Sequence, residues 1–143
     1  VPALDDFRRH RHVSGGLPLY LMLLERACGG APPRSARLDA LDQRIGNLTC
    51  WANDLLSHRW DRDTRNPINL VRVCEARVGP GRGLQAATEA FEEEWHGWQQ
   101  VRRSDAELSA SVYVARQPAL VAGTLKWMES TERYRASAEE TER

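Results

Sequence analysis

Asn53, Ser57 and Asp61 stand at i, i+4 and i+8 within one uninterrupted stretch of helical apolar spacing. Four residues advance a helix by about 400°, so each side chain is displaced by about 40° from the last and all three project from one stripe. They offer an amide oxygen, a hydroxyl and a carboxylate. These hard donors suit Mg²⁺, which prefers oxygen, keeps some water and shares its shell with substrate phosphates. A set with a single carboxylate holds a free ion weakly and fills when a diphosphate supplies the missing negative charge. On spacing alone the same residues also read as the wet face of a surface helix.

The element that must carry them runs from Ala36 to about Asp61. Leu38, Leu41, Ile45, Leu48, Ala52, Leu55 and Leu56 hold helical period there without a proline, and Ser35 is placed to cap its start. Trp51, two residues before Asn53, points about 200° away from it and is expected in interhelical packing. Three- and four-residue apolar spacing continues through most of the chain and no stretch shows strand alternation, so the fold is predicted to be all-α.

A first helix is expected over about Leu4 to Val13, stopped by Ser14-Gly15-Gly16, and a second from Leu17 or Pro18 to Cys28. Gly29-Gly30-Ala31-Pro32-Pro33 is a connector. A short helix is expected from Pro67 or Ile68 to Arg77, and another over Leu84 to Arg103 with Glu89, Glu92, Glu93 and Glu94 on a solvated face. The last long helix spans about Asp105 to Glu129, bent or interrupted at Pro118. A polar tail, residues 136–143, follows a domain of residues 1–135.

The stripe keeps particular company. Asn53-Asp54-Leu55-Leu56-Ser57-His58-Arg59-Trp60-Asp61 is followed by Asn69-Leu70-Val71, then by Trp127, and then by Ser130-Thr131-Glu132-Arg133-Tyr134. This resembles the C-terminal half of a bacterial class I terpene synthase (terpene cyclase), whose second metal motif, Asn-Leu-Val and closing Arg-Tyr pair follow in that order. Upstream, Arg11-His12-Val13-Ser14-Gly15 resembles the family's diphosphate-sensing arginine, linker residue and helix-breaking effector glycine, and Leu17-Pro18-Leu19-Tyr20 with Glu25 resembles the segment after it. The resemblance covers about Pro2 to Tyr134.

It implies the C-terminal helices of the class I terpene synthase fold. Asn53, Ser57 and Asp61 would bind one Mg²⁺ of a three-ion cluster, and Arg133, Tyr134 and Arg11 would bind the diphosphate of an isoprenyl substrate, with Arg8 the second candidate for the sensor. Trp127 would be a cavity aromatic, and Gly15 or Gly16 would let the helix break and turn a carbonyl inward. Asp61 is one methylene shorter than the family's usual Glu. Trp60 stands where a basic residue often precedes that acid, with Arg59 the neighbouring substitute. The reaction implied is Mg²⁺-dependent ionisation of an isoprenyl diphosphate, most simply farnesyl diphosphate, and cyclisation of the resulting cation.

The family's aspartate-rich first metal motif does not occur in this sequence. Asp5-Asp6 is followed by Phe7-Arg8-Arg9-His10, whose cations oppose a metal cluster, and reads as exposed helix. The expectation is therefore an N-terminal half that lies outside this chain, would complete the site, and would cover an apolar face left exposed here. The alternative is a non-catalytic helical interaction module, or degenerate relative, whose face is polar or closed.

Composition narrows the classes further. The 143 residues carry twenty basic and twenty acidic side chains, a formal net charge of zero, which gives no basic excess for a nucleic-acid partner. Cys28, Cys50 and Cys74 form no CxxC pair and are expected as small, buried, reduced residues. The longest apolar run, Leu17 to Leu24, is too short to span a bilayer, so a cytoplasmic protein without membrane insertion is expected; a homodimer is compatible with all of this.

Overall fold

In the computed structural model residues 1–63, 66 and 68–131 are described, and among them are eight helices and no strand. These are α1 (Leu4–Ser14), α2 (Leu17–Ala27), α3 (Ala36–Asp63), α4 (Leu70–Val78), α5 (Gly83–Arg103), α6 (Ala106–Ala110), α7 (Val112–Arg116) and α8 (Pro118–Ser130). The chain is all-α, as its spacing predicts.

The 28-residue α3 is the axis of the molecule, and α1, α2, α4, α5 and α8 all pack on it. Ser35 accepts a hydrogen bond from the Leu38 amide at its start, 3.2 Å long. Its apolar stripe is divided between two clusters. Leu38, Leu41, Ile45 and Leu48 are sealed with Trp98, Tyr113 and Val114, whereas Cys50 and Trp51 join Phe7, Leu17, Leu70, Val73, Cys74 and Ala87. Burial of large aliphatic and aromatic side chains on both sides, about 1.5–3 kcal/mol each, anchors α3 along its length. None of the described helices is long and apolar enough to cross a membrane.

Three expectations are corrected. The last long helix is three pieces. Ser111, at φ −67° and ψ 126°, leaves helical geometry and caps α7 by accepting from the Val114 amide, and a second boundary falls at Pro118 as expected. The short fourth helix begins at Leu70, because Asn69 adopts extended backbone and caps it. Glu94 is not on a solvated face: it is buried on the α3 side of α5, where it accepts from Arg44 at 2.9 Å and Asn47 at 3.1 Å. The 136–143 tail lies outside the described residues.

Candidate functional site

The α1–α2 junction, the middle of α3 and the body of α8 enclose a cleft of about 580 Å³. Arg11, Gly15, Asn53 and Trp127, four of the residues singled out from sequence, all line it, with Leu17, Tyr20, Thr49, Cys50, Leu120 and Thr124 between them. The walls are mostly apolar, and the polar groups come from α1 (Arg11), α2 (Tyr20), the middle of α3 (Thr49 and Asn53) and α8 (Thr124). Tyr20 and Trp127 are more than half exposed at the mouth.

Gly15 and Gly16 divide the work of ending α1. Gly16 takes the left-handed conformation, φ +74°, which disfavours a side chain. Gly15 has ordinary backbone angles, φ −86° and ψ 2°, and is needed for another reason. A Cβ built there would lie 2.3 Å from Cys50 Sγ and 3.3 Å from Arg11 Nη1. The close approach of α1 to α3 is therefore built on the missing methyl.

The oxygen stripe of α3 is partly inside the cleft and partly behind it. Asn53 reaches the cleft and has Nδ2 3.5 Å from Met128 Sδ. Ser57 and Asp61 are buried rather than on a wet face. Ser57 Oγ donates to Asp61 Oδ2 at 2.6 Å. Asn69 Nδ2 donates to the same oxygen at 2.8 Å and Asn66 Nδ2 to Oδ1 at 3.0 Å. A hydroxyl whose proton is given to a carboxylate keeps its lone pairs for another partner. A ligating carboxylate steadied by amide donors is the usual outer support of a metal ligand. The donors therefore fit Mg²⁺ in kind. Among the described residues no three His, Cys, Asp or Glu side chains gather into a metal site, so this mixed set with one carboxylate is the candidate.

Arg11 is fixed beside the stripe. Its Nε donates to Asp54 Oδ2 at 3.1 Å and its Nη2 to Oδ1 at 2.6 Å, a planar fork matched to a carboxylate. Burial works against the guanidinium's charge, but the hydrogen bonds and charge of Asp54 outweigh it and raise the pKa of Arg11. Burial pushes the Asp54 carboxyl up, and Arg11 together with the Leu70 amide, 3.1 Å away, draws it back. The fork uses the Nε and Nη2 edge, and Nη1 lies on the Gly15 side, 3.3 Å from where a Gly15 Cβ would stand.

Arg8, the second sensor candidate, turns elsewhere. Its guanidinium lies 5.7 Å over the Trp51 ring and its Nε 3.5 Å from Glu94. Trp51 is fully buried, as its position relative to Asn53 predicts. Arg59 and Trp60 are exposed. Arg133 and Tyr134 lie outside the described residues. Sequence reasoning missed Asp54, Asn66 and Asn69 as parts of this site. Asp54 sits inside the motif itself and Asn69 opens the Asn-Leu-Val segment, so both were in view as residues but not as partners.

The described residues thus form an all-α arrangement in which a long axial helix carries clustered oxygen donors beside an apolar cleft edged by an arginine. The sequence matches the family described as "Terpene synthase family 2, C-terminal metal binding" over residues 1–99, and the chain belongs to that family. It is also similar to a tRNA dimethylallyltransferase of Paracoccus denitrificans (strain Pd 1222), 36% identical over 87 residues that cover 57% of this chain and 29% of that protein. The chain thus spans less than a third of the length of that curated relative. No solved structure matches it.

Proposed function

We propose that this chain supplies the second metal motif and diphosphate-binding groups of a terpene synthase, which ionises an isoprenyl diphosphate, most simply farnesyl diphosphate, and cyclises it with release of diphosphate. The observation that carries this reading is the convergence of Arg11, Gly15, Asn53 and Trp127, distant in sequence, on one largely apolar cleft. Asn53, Ser57 and Asp61 would hold Mg²⁺, which when bound neutralises the departing diphosphate.

The chain's own residues carry the rest. Arg11 presents N–H groups, already oriented by Asp54, to the anion whose charge grows as the carbon–oxygen bond breaks; preorganisation of this kind needs no reorientation during reaction. Arg133 and Tyr134 would add donors. Leu17, Leu120 and Trp127 line a volume within the range of about 300–1,000 Å³ usual for ligand pockets, where water must be kept from a carbocation. The face of Trp127 would steady positive charge by about 0.5–2 kcal/mol when desolvated.

A partner half bearing the aspartate-rich motif is part of the proposal, and the surface supports it. Leu19, Met22 and Leu23 are more than half exposed on one stripe of α2, beside exposed Tyr20. Such a stripe on a helix is the kind of face that another helix covers. The name of the Paracoccus relative refers to a dimethylallyl group and to tRNA; the balanced charge of this chain gives no electrostatic reason to extend the tRNA part to it.

The test is to incubate the chain alone, and joined to a half bearing an aspartate-rich motif, with geranyl, farnesyl and geranylgeranyl diphosphates and Mg²⁺, and to analyse the headspace. The joined form is expected to give a cyclic product and the chain alone none. Failure of the joined form with all three substrates leaves the non-catalytic interaction module as the better reading. In the active form, Asn53→Ala is expected to abolish product while leaving the helical circular dichroism unchanged.

A further inference from the structure

We infer that Asn69 is a positioning residue that holds the Asp61 carboxylate in register with Arg11, an inference that rests on the proposed diphosphate chemistry of this cleft. Asn69 is fully buried at the entry to α4 with extended backbone, φ −148° and ψ 133°. Its side chain is used at both ends. Oδ1 accepts from the Val71 amide at 2.9 Å and so caps α4. Nδ2 donates at 2.8 Å to the Asp54 carbonyl and at 2.8 Å to Asp61 Oδ2.

Capping alone does not require asparagine. Serine, threonine and aspartate cap as well, but a hydroxyl carries one hydrogen and a carboxylate none. Asparagine is the cap residue that also brings two donors, and both are directed here onto α3. The next residue repeats the attachment, because the Leu70 amide donates to the Asp54 carboxylate at 3.1 Å. Asp54 in turn holds the Arg11 fork. A continuous set of bonds therefore runs from Arg11 through Asp54 and Asn69 to Asp61 and Ser57. The groups that would meet the anion and the groups that would meet the cation share one frame, and Asn69 is the joint between them.

The experiment is titration of Mn²⁺ with inorganic diphosphate into the chain, followed by electron paramagnetic resonance, for the wild type, Asn69→Ser and Asn69→Asp. Both variants keep a cap; neither can donate twice, and the second sets a carboxylate against Asp61. Both are expected to stay helical by circular dichroism and to bind Mn²⁺–diphosphate about 10–100-fold more weakly, the usual loss when the support of a metal ligand is removed. Binding within twofold of wild type by the folded variants would overturn the inference while leaving the proposed function standing. No binding by wild type, either alone or joined to the aspartate-rich half, would overturn both. If neither variant folds, the side-chain amide resonances of Asn69 in the wild type decide: a shift on adding Mg²⁺–diphosphate supports the joint, and unchanged resonances under saturation overturn it.

Discussion

Arg11 and Asp54 meet across the α1–α3 seam in a two-point fork, yet they are unequally buried: the carboxylate side chain is 1% exposed and the guanidinium side chain 13%. That difference decides what losing either one does. Arg11→Ala strands a carboxylate that cannot reach water, and is expected to destabilise the fold by about 3–5 kcal/mol, as for a broken buried pair. Asp54→Asn leaves a guanidinium that can swing into the cleft and be solvated, so a smaller loss of about 1–3 kcal/mol is expected. Urea unfolding of the two variants checks the order, and a larger loss for Asp54→Asn contradicts the account.

Gly15 offers a test of packing with its own internal control. A Cβ there would lie 2.3 Å from Cys50 Sγ, inside any real contact distance. Gly15→Ala is expected to cost about 1–3 kcal/mol, the range for overpacking. Removing the sulfur with Cys50→Ala in the same chain should recover a substantial part of that loss. A double-mutant cycle on the thermal or urea midpoints measures the coupling, and strictly additive effects would show that Gly15 is held for some other reason.

How much of this was legible beforehand depends on whether the signal was local. The course of α3 could be read directly, because seven turns of apolar period with a serine before them and Gly-Pro connectors elsewhere leave little choice. The break at Ser111 could not. The three- and four-residue spacing continues through it, and the buried Tyr113 hydroxyl reaches Asp42 at 2.9 Å, a tertiary contact with a residue far away in sequence.

Glu94 shows how a charge run misleads. Grouped with Glu92 and Glu93 it looks solvated, but Gly83, Ala87, Ala90, Glu94 and Trp98 form the buried stripe of α5 at three- and four-residue spacing. Its ion partner Arg44 lies on α3, beyond any local rule. The same limit applied at the site. Composition and spacing picked out Asn53, Ser57 and Asp61 as oxygens on one stripe, but the bonds from Asn66 and Asn69 to Asp61 depend on how the chain returns after α3.

The three cysteines are expected to react unequally. Burial pushes the Cys50 thiol up to about 11, with Arg11 lowering and Asp54 raising it further, and burial raises Cys74 as well. Cys28 is only half-buried. At pH 8 a thiol with a pKa near 11 is about a hundredfold less ionised than an ordinary one, and the thiolate is the reactive form. Iodoacetamide should therefore label Cys28 first and leave Cys50 and Cys74 until denaturant is added. Peptide mass spectrometry over a time course reads this directly, and early labelling of Cys50 would show that the seam around it is open.

His12 should make stability depend on pH in a direction that can be fixed in advance. Its ring is half-buried in the seam between α1 and α3, and its Nδ1 is buried with no partner at hydrogen-bond distance and angle. Burial is the main influence and lowers its pKa below the ordinary 6.5; Asn47 and Glu94 pull it upward and His10 lowers it further. Arg8 and Arg44, both near Glu94, add positive charge to the same seam. Because the folded value lies below the unfolded one, the unfolded chain binds more protons in the interval between them. Stability therefore rises with pH across that interval and is lost as pH falls from about 6.5 toward the folded value. Urea midpoints between pH 7.5 and 5.5, above the range where most carboxylates titrate, should fall on acidification. The fall should be shallower in His12→Asn. An unchanged slope in that variant would overturn the assignment of this pH dependence to His12.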